Sequence, residues 1–143
     1  MATLEQRIQA IEDRQALQDL AATYFVAIDD LANADDILAC FTQDAVFDMG
    51  AIGYPAFAGI DALREFFTGV VNGLEYSAHY GSNFKIDSLE QDRASVRIHA
   101  VGMGLPHGGE RSKVYVQYHL TYQRIDGQWK ISAIRGTPLM TGD

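Results

Sequence analysis

The chain of 143 residues has a single cysteine, Cys40, and therefore no intrachain disulfide and no pair of thiolates for a structural metal site. A reducing compartment fits. Cations are also scarce: 11 Lys and Arg stand against 19 Asp and Glu, a net charge of −8. A phosphate backbone or an anionic membrane would be repelled over most of such a surface, so neither nucleic acid nor membrane is expected as a partner. No apolar run approaches the length of a membrane span, and Met1 to Gln15 is polar and amphipathic rather than an apolar leader, so the expected location is cytoplasmic. A Gly-rich phosphate loop, a nucleophile elbow and a His-Glu-x-x-His helix are missing too, and the four histidines lack ligand spacing. Nucleotide hydrolysis, serine-hydrolase chemistry and metal sites have no support. What remains is chemistry without metal or cofactor.

What is present is an ordinary core. With 48% hydrophobic and 21% charged residues and no break in composition, residues 1–143 read as one folded domain. Leu4, Ile8, Ile11, Leu17, Leu20, Ala21, Tyr24, Ile28 and Leu31 recur mostly at spacings of three and four, which predicts a long helix with Thr3 as its N-cap. Asn33 to Phe41 reads as a short second helix, its Asp35 and Asp36 placed at the positive end of the macrodipole. Ala45 to Met49 and Ala56 to Ala58 read as short strands, and Asp61 to about Val71 as a third helix. Thereafter the period changes to two: Glu75–Asp87, Arg93–Gly104, Lys113–Arg124 and Gln128–Pro138 predict an antiparallel meander. Helices early and strands late imply an α+β fold, a cone-shaped α+β barrel with the N-terminal helices packed in the concave face of a curved, mostly antiparallel sheet. Such a cone has an apolar interior suited to a small-molecule substrate, and polar side chains pointing into it are few and informative.

The most conspicuous is His79, in Ala78-His79-Tyr80-Gly81-Ser82-Asn83, a titratable group where an apolar strand residue is expected. At 100° per residue Asp29 lies on the flank of the first helix's apolar stripe, beside Phe25 and Ala22, while Asp30 falls toward the polar face. Asp29 is thus the aspartate able to orient an imidazole as a general acid/base pair. The alternative is a strand histidine satisfied by a backbone carbonyl and an aspartate at a helix end. Alternation places Arg135 with Trp129, Ile131 and Ala133, so it projects inward if the tryptophan does. It also puts Val114, Val116, Tyr118, Leu120 and Tyr122 on one face and His119 with Gln117 and Thr121 on the other; His99 likewise looks outward. Tyr54, in a turn, reaches over a pocket mouth or simply packs. His107, in Pro106-His107-Gly108-Gly109, closes over a ligand or is solvated.

Val26-Ala27-Ile28-Asp29, the His79 strand and Asp126-Gly127-Gln128-Trp129-Lys130-Ile131 together resemble the nuclear-transport-factor-like superfamily, in its SnoaL-like branch, which includes scytalone dehydratase and hexachlorocyclohexane dehydrochlorinase. The resemblance covers nearly the whole chain. It implies that His79 abstracts a proton from a substrate carbon while Asp29 orients it, and that a leaving group departs from the adjacent carbon. It further implies Tyr24, His107 and Arg135 as substrate-binding residues, to which position in the chain adds Phe25, beside Asp29, and Tyr54 in its turn; no cofactor and no metal are expected. Where scytalone dehydratase has two tyrosines this chain has Ile28 and Met49, and Tyr24 stands where the dehydrochlorinase has a lysine. The expected activity is a cofactor-independent lyase, a dehydratase acting on a small apolar hydroxylated or carbonyl-bearing ring compound. The alternatives are an isomerase or polyketide-cyclase-like enzyme and a non-catalytic hydrophobic-ligand-binding protein. Relatives are commonly dimers or trimers, which implies a homo-oligomer with Tyr115 and His119 on the outer sheet face.

Overall fold

Thr3 opens helix α1 (Leu4–Asp30) with a capping box: its hydroxyl accepts from the Gln6 N–H, and the Gln6 side chain accepts from the Thr3 N–H. The computed structural model describes residues 1–140. The middle and end of α1 bury Leu17, Ala21, Tyr24, Phe25 and Ile28. Leu4, Ile8 and Ile11, nearer the N-terminus, lie exposed on a different face of the helix, with nothing in the described chain covering them. Helix α2 (Ala34–Leu38) is capped by Asn33, whose side-chain oxygen accepts from the Asp36 N–H. It ends sooner than its pattern predicts, because Phe41 already belongs to strand β1 (Phe41–Asp48), which starts four residues before the expected Ala45. A 3-10 turn (Gly50–Ile52) and strand β2 (Ala56–Ala58) lead into helix α3 (Ile60–Gly73), which buries Leu63 and Phe67.

Four long strands follow: β3 (Leu74–Leu89), β4 (Arg93–Pro106), β5 (Ser112–Ile125) and β6 (Gln128–Pro138). They complete a six-stranded sheet of order β2-β1-β6-β5-β4-β3. All neighbours are antiparallel except β1 and β6, which run parallel. The sheet is curved and not closed, and the helices cover its concave face. Irregularities in register supply the curvature. In β3 the register slips between Ser82 and Lys85, around Asn83, whose positive φ of 56° suits asparagine better than most side chains.

A second irregularity overturns one expectation. Thr121 pairs with Ala133 but Tyr122 pairs with Ile131, leaving Ser132 as an extra residue in β6, its hydroxyl donating to the Thr121 carbonyl. Beyond that bulge the facing reverses. Trp129 and Ile131 point inward, then Ile134 and Gly136; Arg135 is turned to the outer face, opposite His119. Unbroken alternation across the bulge is why Arg135 was expected inside.

Asp13, on the buried side of α1, ties the helix to the far end of the sheet. Its carboxylate accepts from Arg124 Nη2 at 2.8 Å, Trp129 Nε1 at 3.2 Å and Gln9 Nε2 at 3.0 Å, and the Arg124 guanidinium lies 4.4 Å from the centre of the Trp129 ring. Burial pushes the Asp13 carboxyl up, but the hydrogen bonds from Arg124, Trp129 and Gln9 outweigh it and hold the group below its ordinary 3.8. Asp13→Asn removes the charge that pairs Arg124 and is expected to cost about 2–3 kcal/mol at pH 7, read by urea unfolding. A carboxyl depressed in the folded state contributes stability above its unfolded value and loses it as pH falls through the folded one. The gap between parent and variant should therefore be full at pH 5 and above and close below 3.8.

Candidate active site

Two periodicities meet where α1 crosses β3. A helix stacks residues four apart, so Phe25 and Asp29 face the same way; a strand shows every second residue, so Ser77, His79 and Gly81 share the inner face of β3. The sets interlock. Asp29 Oδ1 accepts from His79 Nδ1 at 2.7 Å and from the Ser77 hydroxyl at 2.9 Å, while Oδ2 accepts from the His79 backbone N–H at 2.8 Å. One turn earlier, Phe25 stacks on the His79 ring, with centroids 5.4 Å apart and planes 5° from parallel. Gly81 makes room for it: a methyl group there would lie 2.8 Å from Phe25 Cε2.

Partial burial raises the cost of ionising Asp29. The hydrogen bond and charge of the His79 ring, the backbone N–H and the Ser77 hydroxyl together overcome that cost and hold its carboxyl below the ordinary 3.8. Asp29 is therefore an acceptor only, and the ring proton of His79 must sit on Nδ1. In the neutral form of the ring the lone pair is then on Nε2, and the His79 ring lines a cavity. Gly102 is paired opposite His79 on β4, and a methyl group there would come into van der Waals contact with the ring, 3.5 Å from Nε2.

The cavity measures about 720 Å³, and Tyr24, Ile28, Met49, Phe67, Val114 and Tyr118 are among the residues that line it. Its size suits a ligand of one or two rings. Among the described residues no Lys or Arg lines it, and Glu65 at the rim is the only carboxylate, which disfavours an anionic ligand. No cluster of His, Cys, Asp and Glu able to hold a metal ion occurs among the described residues. No helix of the described chain is long and apolar enough to cross a membrane.

Of the residues singled out from sequence, Asp29 and His79 are brought together, and Tyr24 and Tyr54 line the cavity, Tyr54 as a half-exposed residue. Phe25 lies behind the wall, touching the His79 ring rather than the cavity. The expectation that His107 and Arg135 contact substrate is corrected. His107 sits exposed in the β4–β5 turn, where its backbone N–H donates to the Gly73 carbonyl, and Arg135 is exposed on the outer face beyond the Ser132 bulge. Neither lines the cavity. Ser77 and Tyr118 are added by the structure. Ser77 is two residues before His79, so strand alternation places it beside the same carboxylate; Tyr118 shares its strand face with Val114, Val116 and Leu120, and the sequence pattern there reads as apolar.

The family profile described as a SnoaL-like domain matches residues 9–135. The chain belongs to the SnoaL-like domain family. Among curated proteins, hexachlorocyclohexane dehydrochlorinase 1 of Sphingobium indicum is 22% identical over 131 residues, covering 90% of this chain and 83% of that one. A Novosphingobium aromaticivorans crystal structure, provisionally named an aromatic ring hydroxylase, matches with a TM-score of 0.88 at 38% identity over 92% of both chains. A second crystal structure from that organism, provisionally named a scytalone dehydratase, matches with a TM-score of 0.83 at 23% identity, over 94% of this chain and 89% of that one, a likeness of fold. This SnoaL-like domain thus shares its architecture with proteins whose names span elimination and ring chemistry.

The hydrogen bonds predict the outcome of Asp29→Asn. The His79 backbone N–H can only donate, so the amide oxygen must take the Oδ2 position and the NH2 must face Nδ1. The ring proton then moves to Nε2 and the lone pair there is lost. Nitrogen-15 NMR of the His79 ring should show the Nδ1–H tautomer in the parent and the Nε2–H tautomer in the variant; the same tautomer in both would refute the geometry.

Proposed function

We propose that this SnoaL-like domain is a cofactor-independent lyase that removes a carbon-bound proton and an adjacent leaving group from a small, uncharged, hydroxylated or carbonyl-bearing ring compound. The observation that carries the proposal is the 2.7 Å pair of Asp29 and His79, with the His79 ring lining an apolar cavity. A neutral imidazole oriented by a carboxylate is a base matched to neutral pH, and the apolar wall limits competition from water. His79 Nε2 takes the proton from carbon; Asp29 stabilises the imidazolium that forms; the imidazolium then returns the proton to the departing hydroxyl, which leaves as water. One residue serving as both base and acid implies that proton and hydroxyl leave from the same face of the ring.

A panel of cyclic alcohols with an acidified neighbouring C–H tests the proposal, with the absorbance of the conjugated product as readout. His79→Ala should lower turnover roughly 10²- to 10⁴-fold while changing ligand affinity little. Solvent deuterium incorporated without elimination would make the protein an isomerase. Equal binding by parent and variant with no turnover by either would make it a ligand-binding protein. Self-association belongs to the same proposal, since Leu4, Ile8 and Ile11 form an uncovered apolar stripe on α1; sedimentation should show more than one subunit, and a monomer would refute that part.

A further inference from the structure

Three tyrosines are buried on the concave side of the sheet, and their hydroxyls fare differently. Tyr122 donates to the Leu17 carbonyl at 3.1 Å. Tyr24 and Tyr118, 4% and 8% exposed, both line the cavity, yet among the described residues neither hydroxyl has a hydrogen-bond partner, and neither is sealed from the cavity. A phenol is seldom kept in an apolar wall without a partner, so two such groups in one wall point to a polar ligand atom. They also share a neighbourhood. Both rings pack on Phe25, at 5.7 and 5.9 Å between centroids, and Phe25 is the residue stacked on His79. One aromatic plate thus carries two phenols and the imidazole around it.

The chemistry of the three groups differs in a useful way. With Nδ1 protonated, His79 Nε2 offers a lone pair and no proton. Burial, with the Asp29 charge as a smaller contribution, pushes the Tyr118 phenol up to about 12 and raises Tyr24 well above its ordinary value. Both therefore remain neutral O–H donors at physiological pH. Building on the acid/base role proposed for His79, we propose that Tyr24 and Tyr118 donate two hydrogen bonds to a single carbonyl oxygen of the substrate, which is then a neutral ring ketone enolised beside His79.

Nε2 takes the proton from the carbon next to the carbonyl. The C–H pair becomes the C=C bond of an enolate and the C=O π pair moves to oxygen, where the two phenols stabilise the new charge. Where a hydroxyl sits on the β carbon, the oxygen pair re-forms C=O and the double bond shifts toward that carbon. The C–O bond breaks, and the hydroxyl departs with the Nε2 proton, giving an enone and water. Without a β hydroxyl the step ends in exchange of the α hydrogen.

The test compares 2-tetralone with tetralin, the hydrocarbon of the same skeleton; the ketone accepts hydrogen bonds and the hydrocarbon cannot. The parent should bind the ketone roughly tenfold more tightly than the hydrocarbon and lower its infrared carbonyl stretch. Tyr24→Phe and Tyr118→Phe should each restore part of the stretch and reduce the preference several-fold, leaving tetralin affinity unchanged. A parent without preference for the ketone, or variants that keep both shift and preference, would overturn the proposal. Should a variant not fold, tyrosine labelled with carbon-13 at Cζ replaces it: the Tyr24 and Tyr118 signals of the parent must move with 2-tetralone and not with tetralin, and stationary signals overturn it. Deuterium exchange at the α carbon separates this proposal from the one it builds on. Exchange that needs His79, with a carbonyl shift indifferent to the tyrosines, removes the clamp and keeps the base. A tyrosine-dependent shift without exchange removes the base and keeps the clamp.

Discussion

Three hydrogen bonds from one strand converge on the carboxylate of Asp29, and the rest of the site takes its orientation from them. A half-buried carboxylate beside an apolar cavity is unfavourable unless it is well solvated by fixed donors. Here the donors are an imidazole, a backbone N–H and a hydroxyl, all on Ser77 and His79. The backbone bond matters most for geometry, because it fixes the depth of the helix relative to the strand before any side chain chooses a rotamer. The ring then has only one way to satisfy Nδ1, and the position of Nε2 follows.

The same crossing explains why glycines sit where they do. Gly81 allows Phe25 to lie against the strand and hold the imidazole flat from behind, a consequence of α1 packing directly on β3. Gly102, on β4 opposite His79, leaves the ring uncovered on that side. Further toward the start of α1, Asp13 joins Arg124 and Trp129. The helix is thus held at two points by carboxylates, one tied to Arg124 and Trp129 of the sheet and one to Ser77 and His79. Between them lies the apolar stripe centred on Leu17, Tyr24 and Ile28.

The cavity wall is described by what it omits as much as by what it holds. Among the described residues it presents no Lys or Arg, so in the proposed proton transfer the developing charge would be met by neutral donors and by the imidazolium itself. Phenols kept neutral by burial are suited to that, since they add no charge to the resting cavity and so do not recruit anions. Ile28 and Met49 add apolar side chains to the wall.

Local pattern was enough to determine the order of elements, the α+β class, the helix that buries Tyr24 and Ile28, and the choice of Asp29 over Asp30, because each depends on a period of 3.6 or 2 within one segment. The pairing of Asp29 with His79 was legible as a candidate from residue type and family resemblance, with a bland alternative standing beside it. Only the tertiary structure decided that the two meet, since 50 residues separate them and no period spans that distance. It also decided against Arg135, for a physical reason the alternation could not contain: the extra residue Ser132 turns the end of β6 over. The Tyr118 hydroxyl is a similar case. Sequence put it on the inner face, but whether an inward phenol is satisfied, as in Tyr122, or left facing open space depends on which carbonyl lies above it, and that is a property of the packed fold alone.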